Sequence, residues 1–346
     1  MLSYIYTKNY KNLSFDKPLP LKALNIFIGA NGSGKSNIIK SLKFLSEASK
    51  QEKENHVKIV LNRLNRPLNL QIAEPASFEF IYAFSDILQG DKNLVLDLSI
   101  HVDSQKEGKQ FIESELVYQK TGNIDKTTEI HEDEIFHSRV YPDEKKGIFY
   151  SKDPTRPWFL GDFSRADRED SSPSMIVVDR ESAPILYFLN DVCRWKFYNA
   201  NDFDVSAIKT ASNKVGDTPQ YLSSGGENLI TVINSLMYDL DFEEELNQAL
   251  KSMFPKTRKI RAVIPGRTVE IQWYIEPLKD PLYLDEMSDG TIRMLCLAVI
   301  LLSPKLPSMI VIDEPELGLH PAWLKILAQW IKRASEKTQV IISTHS

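Results

Sequence analysis

Two short segments of this chain combine residue types suited to handling phosphate and water. Residues 29–36 read Gly29-Ala30-Asn31-Gly32-Ser33-Gly34-Lys35-Ser36, the pattern G-x-x-x-x-G-K-[ST], followed by Asn37. Glycines let backbone N–H groups turn inward toward anionic oxygens with no Cβ in the way. A helix opening directly behind them adds its free amides and its dipole to the same anion. In this reading Lys35 reaches the β- and γ-phosphates of a nucleoside triphosphate, residues Gly29 to Asn37 wrap them, and Ser36 ligates Mg²⁺. The second segment, Met309-Ile-Val-Ile-Asp313-Glu314-Pro-Glu316, is an apolar run closed by carboxylates. Asp313 is the expected Mg²⁺ ligand through water, and Glu314 the group that orients or deprotonates an attacking water. Alone, the first could be a glycine turn and the second a solvated strand end. Together they imply a nucleoside triphosphate and its hydrolysis, with Mg²⁺.

These residues need elements that hold them. Ala23–Ile28 is an apolar strand leading straight into the glycines, and Asn37–Leu45 puts Ile38, Ser41, Leu42 and Leu45 on one helical face. Strand, glycine loop and helix is the context such a loop requires. Met309–Ile312 suits a strand buried on both faces. Ser77–Phe84, Leu94–Ile100 and Phe111–Tyr118 are spaced as an antiparallel meander. Residues 121–173 are charged, weakly periodic and proline-bearing, so an irregular insert is expected there. Helices are expected over Pro184–Phe197, Asn228–Leu240, Phe242–Met253, Gly290–Leu302 and Ala322–Ala334. Arg258–Ile264 and Thr268–Ile275 flank Pro265-Gly266 as a hairpin, and Gln339–Ser343 is a last strand. The expected organisation is 1–120 (first part of the nucleotide-binding unit with a β subdomain), 121–173 (insert), 174–303 (helical lobe) and 304–346 (second part of the nucleotide-binding unit).

Composition narrows the class. A hydrophobic fraction of 42% with 26% charged residues is that of a soluble globular protein. A formal net charge of −5 gives no global attraction to nucleic acid or anionic lipid. Two cysteines are too few for a disulfide framework or a cysteine-rich zinc site, and no signal-type apolar core opens the chain, so a reducing cytoplasm and no membrane are expected. Repeats and long heptad runs are absent.

A third string, Leu284-Asp-Glu-Met-Ser288-Asp289-Gly290-Thr291-Ile-Arg293, lies upstream of the carboxylate strand. It resembles the signature motif of ABC-type ATPases in its Ser-Asp-Gly-Thr-x-Arg form. Leu222-Ser-Ser-Gly-Gly-Glu-Asn228 looks superficially like another signature but is too far upstream, and reads as a Gly-Gly turn with Asn228 capping the next helix. Leu317-Gly-Leu-His-Pro321 looks like a D-loop, and Ile341-Ile-Ser-Thr-His345 like a strand ending in a switch histidine. With Asn9–Leu13, these strings make the chain resemble the RecF/SMC-like branch of ABC ATPases, which includes DNA-repair proteins and the ATPases of OLD-type and Septu-type anti-phage systems. The resemblance covers both ends of the chain and not its middle. It implies an α/β fold, an ABC-type P-loop head with a mixed sheet, an antiparallel β subdomain and a helical signature lobe.

Further roles follow from the resemblance alone. Ser288, Asp289, Gly290 and Thr291 would grip the γ-phosphate bound by an opposite subunit, whereas His345 would contact the γ-phosphate of its own site and help position the water beside Glu314 and Lys35. The Q-loop glutamine is not placed by the sequence; Gln71 and Gln119 both remain candidates. Relatives continue past the switch histidine, often into a Toprim or other effector module, so more chain is expected after residue 346.

The leading functional expectation is a slow ATPase that forms a homodimer around two ATPs and switches a partner effector or nuclease in anti-phage defence. The alternative is a RecF-like DNA-binding repair ATPase, suggested by Lys251, Lys256, Arg258, Lys259, Arg261 and Arg267 on or near the hairpin. An ATP-binding scaffold without turnover is the third, opposed by the intact Glu314 and His345.

Overall fold

The computed structural model describes residues 1–49, 77–85, 92–103, 109–121, 134–141, 146–151, 159–162, 191–211, 216 and 218–345. It divides into two compact units, Met1–Lys22 with Ala30–Trp195, and Ala23–Gly29 with Lys196–Ser346.

The first unit is an antiparallel sheet with one described helix. Its strands are β1 (Leu2–Lys8), β2 (Leu19–Pro20), β4 (Ser77–Phe84), β5 (Lys92–Asp103), β6 (Lys109–Thr121), β7 (Glu134–Tyr141), β8 (Lys146–Ser151) and β9 (Phe159–Asp162), in the order β2-β1-β4-β5-β6-β7-β8-β9. The intervening strand β3 (Leu24–Ile28) belongs to the second unit. Aromatic side chains dictate the core: Phe78, Phe80, Tyr82 and Phe84 alternate along β4 and are fully buried. Helix α1 (Lys35–Ala48) packs on that row, with Phe44 against Phe80 at a centroid distance of 5.6 Å and Tyr82 donating its hydroxyl hydrogen to the Ser41 carbonyl at 2.8 Å. Strands β7 to β9 lie where irregular chain was expected. Backbone pairing with a preceding strand extends an antiparallel sheet without needing the strong apolar alternation these residues lack.

The second unit holds a four-stranded parallel sheet in the order β10-β13-β14-β3, with β10 spanning Lys196–Asn199, β13 Met309–Asp313 and β14 Gln339–Thr344. Parallel strands covered on both faces read as continuous apolar runs, and Met309 to Ile312 are almost completely buried. The helices are α2 (Val205–Thr210), α3 (Leu229–Leu236), α4 (Leu240–Met253), α5 (Asp289–Leu302) and α6 (Leu324–Ser335). From Thr291 to Leu302, α5 exposes only Arg293 to any extent, as expected of a helix that is hydrophobic all round. The hairpin of β11 (Thr257–Val263) and β12 (Glu270–Ile275) turns at Gly266, whose φ is +80°, and docks on α4 where the Ile260 amide donates to Asn247 Oδ1 at 2.8 Å.

The α/β head architecture expected from the sequence is therefore present, its strands divided among the described residues into an eight-stranded antiparallel sheet, a four-stranded parallel sheet and the β11-β12 hairpin. One helix is corrected: Pro184–Phe197 does not stay helical to its end, because Lys196 and Phe197 open β10, paired in parallel with Ile310 and Val311. Residues 184–190 lie outside the described residues, as does Gln71. Among the described residues no helix is long and apolar enough to cross a membrane.

Cys296 sits on α5 with no exposure, and burial pushes its thiol up to about 12, outweighing the opposing effect of the Arg293 charge. Cys193 is half-buried. A maleimide or disulfide reagent at neutral pH should therefore label one cysteine per folded chain and both after denaturation, since the thiolate is the reactive form. Rapid labelling of Cys296 in the native protein would show that α5 opens.

Candidate functional site

In the first unit the glycine loop is shaped by backbone angles that side chains resist. Gly32 and Gly34 have φ of +78° and +102°, and a Cβ on Gly34 would stand 2.6 Å from Leu13 Cδ2. Gly34 is the N-cap of α1 and supplies no capping side chain, and no acidic residue occupies the first turn. The helix thus presents its N-terminal end to an anion without an internal carboxylate competing for it. Lys35 is buried and folds back onto the loop, donating to the Ala30 carbonyl at 3.0 Å, while Ser36 is exposed.

Sequence reasoning noted the string Asn9–Leu13 and gave it no task; the structure makes it the loop's support. Asn9 and Lys11 adopt left-handed φ of 59° and 53°, and Tyr10 and Leu13 exchange backbone hydrogen bonds across the turn. Asn12 Nδ2 donates to the Gly32 carbonyl at 2.6 Å and Asn37 Nδ2 donates to Asn12 Oδ1 at 2.8 Å. Loop and helix start are thereby clamped through one amide. Burial, and then the charge of Lys40, hold the Lys11 ammonium below the usual lysine range.

In the second unit the chemistry gathers at the carboxyl edge of the parallel sheet. Asn199, Asp313 and Ser343 stand level on β10, β13 and β14, while Thr344 pairs with Ile28, so that Gly29 begins just past the same edge. Asp313 accepts from the Ser343 hydroxyl on one oxygen and from Asn199 Nδ2 at 3.3 Å on the other. Glu314 follows with φ of +51°, its amide bonded to the Ser343 carbonyl at 2.8 Å. Left-handed backbone at a non-glycine residue costs roughly 1–2 kcal/mol and persists only where surrounding bonds hold it. The Glu314 carboxylate is gripped from two sides, by His345 Nε2 at 2.7 Å and Asn201 Nδ2 at 3.1 Å. Glu316 accepts from the Thr344 hydroxyl and from the His345 amide at 3.2 Å, fixing the histidine's backbone.

Asn199 and Asn201 were not anticipated. Their one sequence signal is a short aromatic strand, Phe197-Tyr198, closed by Asn-Ala-Asn, too brief to separate from the preceding helix-like run. Of the two glutamines considered for the Q-loop, Gln119 falls in β6 of the first unit and Gln71 lies outside the described residues; the amides beside the carboxylates are asparagines.

The signature string starts α5. Ser288 is its N-cap, accepting from the Thr291 amide at 3.2 Å, and Asp289 pairs with Lys209 at 2.9 Å. Gly290 lies under the string Leu317–Pro321 that resembles a D-loop, where an added Cβ would stand 3.1 Å from the Gly318 carbonyl oxygen. The upstream look-alike is a tied-down turn, with Tyr198 donating to the Leu222 carbonyl at 3.2 Å and the Asp204 amide to the Gly225 carbonyl at 3.0 Å. Asn228 occupies the N-cap position of α3, but its side chain does not cap that helix. It accepts from the Ser223 amide at 2.8 Å and donates to the Tyr221 carbonyl at 3.1 Å, closing the turn instead.

Among the described residues no cluster of three or more His, Cys, Asp or Glu could hold a metal ion. Mg²⁺ in a nucleotide site takes one or two protein oxygens and completes its shell with phosphate and water. Asp313, with both oxygens oriented by neighbours, and the exposed Ser36 hydroxyl fit that demand as separate donors.

Fold and residues are those of an ABC-type ATPase head, with the fold of SMC heads. More particularly, the chain belongs to the family described as "AAA domain, putative AbiEii toxin, Type IV TA system", whose model matches residues 24–346. It is 22% identical over 358 residues to the "Retron Vc95 probable ATPase" of Vibrio cholerae, covering 94% of this chain and 66% of that protein. An "ATP/GTP phosphatase" of Helicobacter pylori is 22% identical over 362 residues, covering all of this chain and 85% of that one. The "Old nuclease" of Escherichia phage P2 is 30% identical over 154 residues, covering 39% of this chain and 25% of that protein. The solved SMC head bound to the C-winged helix domain of ScpA shares the fold with a TM-score of 0.51 at 14% identity, over 99% of this chain and 89% of that one. The chain thus spans about two thirds of the first relative's length.

The two loop glycines make a graded test. Gly32→Ala meets only backbone strain, since nothing lies within 4 Å of the new Cβ, whereas Gly34→Ala adds a clash with Leu13. Gly34→Ala should cost about 2–4 kcal/mol and abolish ATP binding, and Gly32→Ala about 1–2 kcal/mol, read by thermal melting and nucleotide titration.

Proposed function

We propose that this ATPase closes as a homodimer around two ATPs and uses their hydrolysis to switch a partner effector. The observation that carries the reading is the grip on Glu314, a strained carboxylate held between His345 and Asn201 beside Asp313. A carboxylate fixed this way is suited to take a proton from water, and a histidine with its proton on Nε2 to steady the same water or the oxygen it attacks.

The roles divide by residue. The amides of Gly29 to Ser36, the first turn of α1 through Asn37 and the Lys35 ammonium bind the triphosphate. Ser36 and Asp313 would hold Mg²⁺, which when bound offsets charge on the β- and γ-phosphates. Glu314 receives the water's proton as the water oxygen bonds to the γ-phosphorus and the bond from that phosphorus to the bridging oxygen breaks, and Lys35 offsets the charge left on the β-phosphate of the departing ADP. Ser288, Asp289, Gly290 and Thr291 at the head of α5 serve the γ-phosphate of the opposite subunit, which links assembly to nucleotide occupancy. Such a device turns over slowly, its output being the conformational change.

The four-part organisation at 1–120, 121–173, 174–303 and 304–346 remains part of this proposal, with the effector carried on a separate protein or a further module. A nuclease effector and a role in anti-phage defence draw support from the retron ATPase and Old nuclease relatives. The DNA-repair alternative gains nothing from the hairpin. Arg258 is paired with Glu276 at 2.9 Å, Arg261 lies 5.1 Å over the Tyr274 ring, and exposed Asp280 with half-exposed Glu270 adds opposing charge. That mixed surface offers little to a phosphate backbone.

Light scattering of Glu314→Gln tests the assembly. Mass should double on adding Mg-ATP and stay single without it, whereas an ATP-bound monomer or a constitutive oligomer would contradict the nucleotide sandwich. In the same background Ser288→Arg should bind ATP with unchanged affinity yet fail to double, because charge and bulk enter the opposing phosphate site. Normal doubling by that variant would remove Ser288 from the interface.

A further inference from the structure

Arg293 is half-exposed on α5, where the residues from Ile292 to Leu302 are otherwise apolar. Its guanidinium Nη1 donates to the carbonyl oxygen of Ala200, a single backbone group with one residue on either side that matters. Asn199 precedes it and donates to Asp313; Asn201 follows and donates to Glu314. The Asn199 side chain also accepts from the Asn201 amide at 2.8 Å, so the three residues form one tight turn. The same Arg293 side chain packs on the D-loop, its Nε 3.2 Å and Cδ 3.3 Å from where a Cβ on Gly318 would be. One turn of α5 earlier, Gly290 meets the Gly318 carbonyl.

From these contacts we infer that Arg293 is a positioning residue for hydrolysis: it anchors the Asn199–Asn201 turn, and through it the Asp313 and Glu314 carboxylates, to the signature helix and the D-loop of the same chain. The chemistry suits the task. A charged donor to a neutral carbonyl is stronger than a neutral pair, and a planar fork fixes direction as well as distance. A bare peptide turn held only by Asn199 would leave the Asn201 amide free to swing away from Glu314. With Arg293 in place, a shift of the α5 N-terminus moves the turn that orients the catalytic carboxylate. The inference rests on the ATPase reading above and adds to it a link inside one chain, between the end that meets the neighbouring nucleotide and the group that cleaves its own.

The test is steady-state hydrolysis by the full-length protein, with thermal melting and ATP titration alongside. Arg293→Ala should lower kcat by about tenfold or more, with KM for ATP within about twofold and the melting transition still cooperative. Arg293→Lys, which retains charge without the fork, should recover part of the loss. Asn201→Ala should show the same kcat defect, and the double variant should be no slower than the slower single, because both act through one turn. Multiplicative losses in the double variant, wild-type kcat in Arg293→Ala, or equal damage to kcat and KM would each overturn the inference while leaving the ATPase intact. Should Arg293→Ala fail to fold, Arg293→Lys with Asn201→Ala carries the same comparison. Absence of turnover in the unsubstituted protein would instead defeat the ATPase reading, and the inference with it.

Discussion

Level pairing of four parallel strands is the constraint on which the chemistry of the second unit depends. Because β10, β13 and β14 run in the same direction and end together, Asn199, Asp313 and Ser343 arrive side by side as neighbours in a ladder. Parallel pairing leaves all three carboxyl ends on one edge, where side chains are released from the sheet into loops. A slip of one residue in β10 would turn Asn199 to the opposite face and remove an Asp313 donor. The buried apolar stretch Met309–Ile312 secures this register, since its side chains have no polar alternative on either face.

Against that regular edge the chain places one deliberate irregularity. At Glu314 the strand ends in a left-handed residue, and the amide bond to Ser343 binds the break to the neighbouring strand. The carboxylate then emerges sideways to meet His345 and Asn201, where continued strand geometry would carry it along the ladder. A comparable solution appears in the first unit, where left-handed Asn9 and Lys11 fold a turn whose Asn12 supports the glycine loop. Strain of order 1–3 kcal/mol at such points is small beside the packing that surrounds them.

The glycine loop, the carboxylate strand and the start of α5 were legible because their tasks dictate residue type at fixed spacing. Positive φ demands Gly32 and Gly34, and an N-cap demands a residue such as Ser288. Most strands and helices of the second unit were legible for a different reason, the apolar periodicity of α4 and α6 and the unbroken apolar runs of α5 and β13. Asn12, Asn199 and Asn201 were not. An amide that orients another group through tertiary contact has no spacing rule, and an Asn beside a turn is ordinarily read as the turn itself. Strands β7 to β9 escaped because pairing at the far side of a sheet is a backbone property, nearly silent in side-chain pattern.

The pairing of β3 with β14 joins the two far ends of the described chain, Leu24 with Val340 through Ile28 with Thr344. Closing so long a loop adds only a logarithmic entropic cost, so the finished sheet is scarcely weaker for it. Kinetically the effect is larger, because contacts distant in sequence form late and slow the search. On the ribosome β3 must wait, an edge without its neighbour, until β14 has been made. The strand that feeds the glycine loop is therefore locked only after residues 339–344 have been made, more than 300 residues behind it in synthesis.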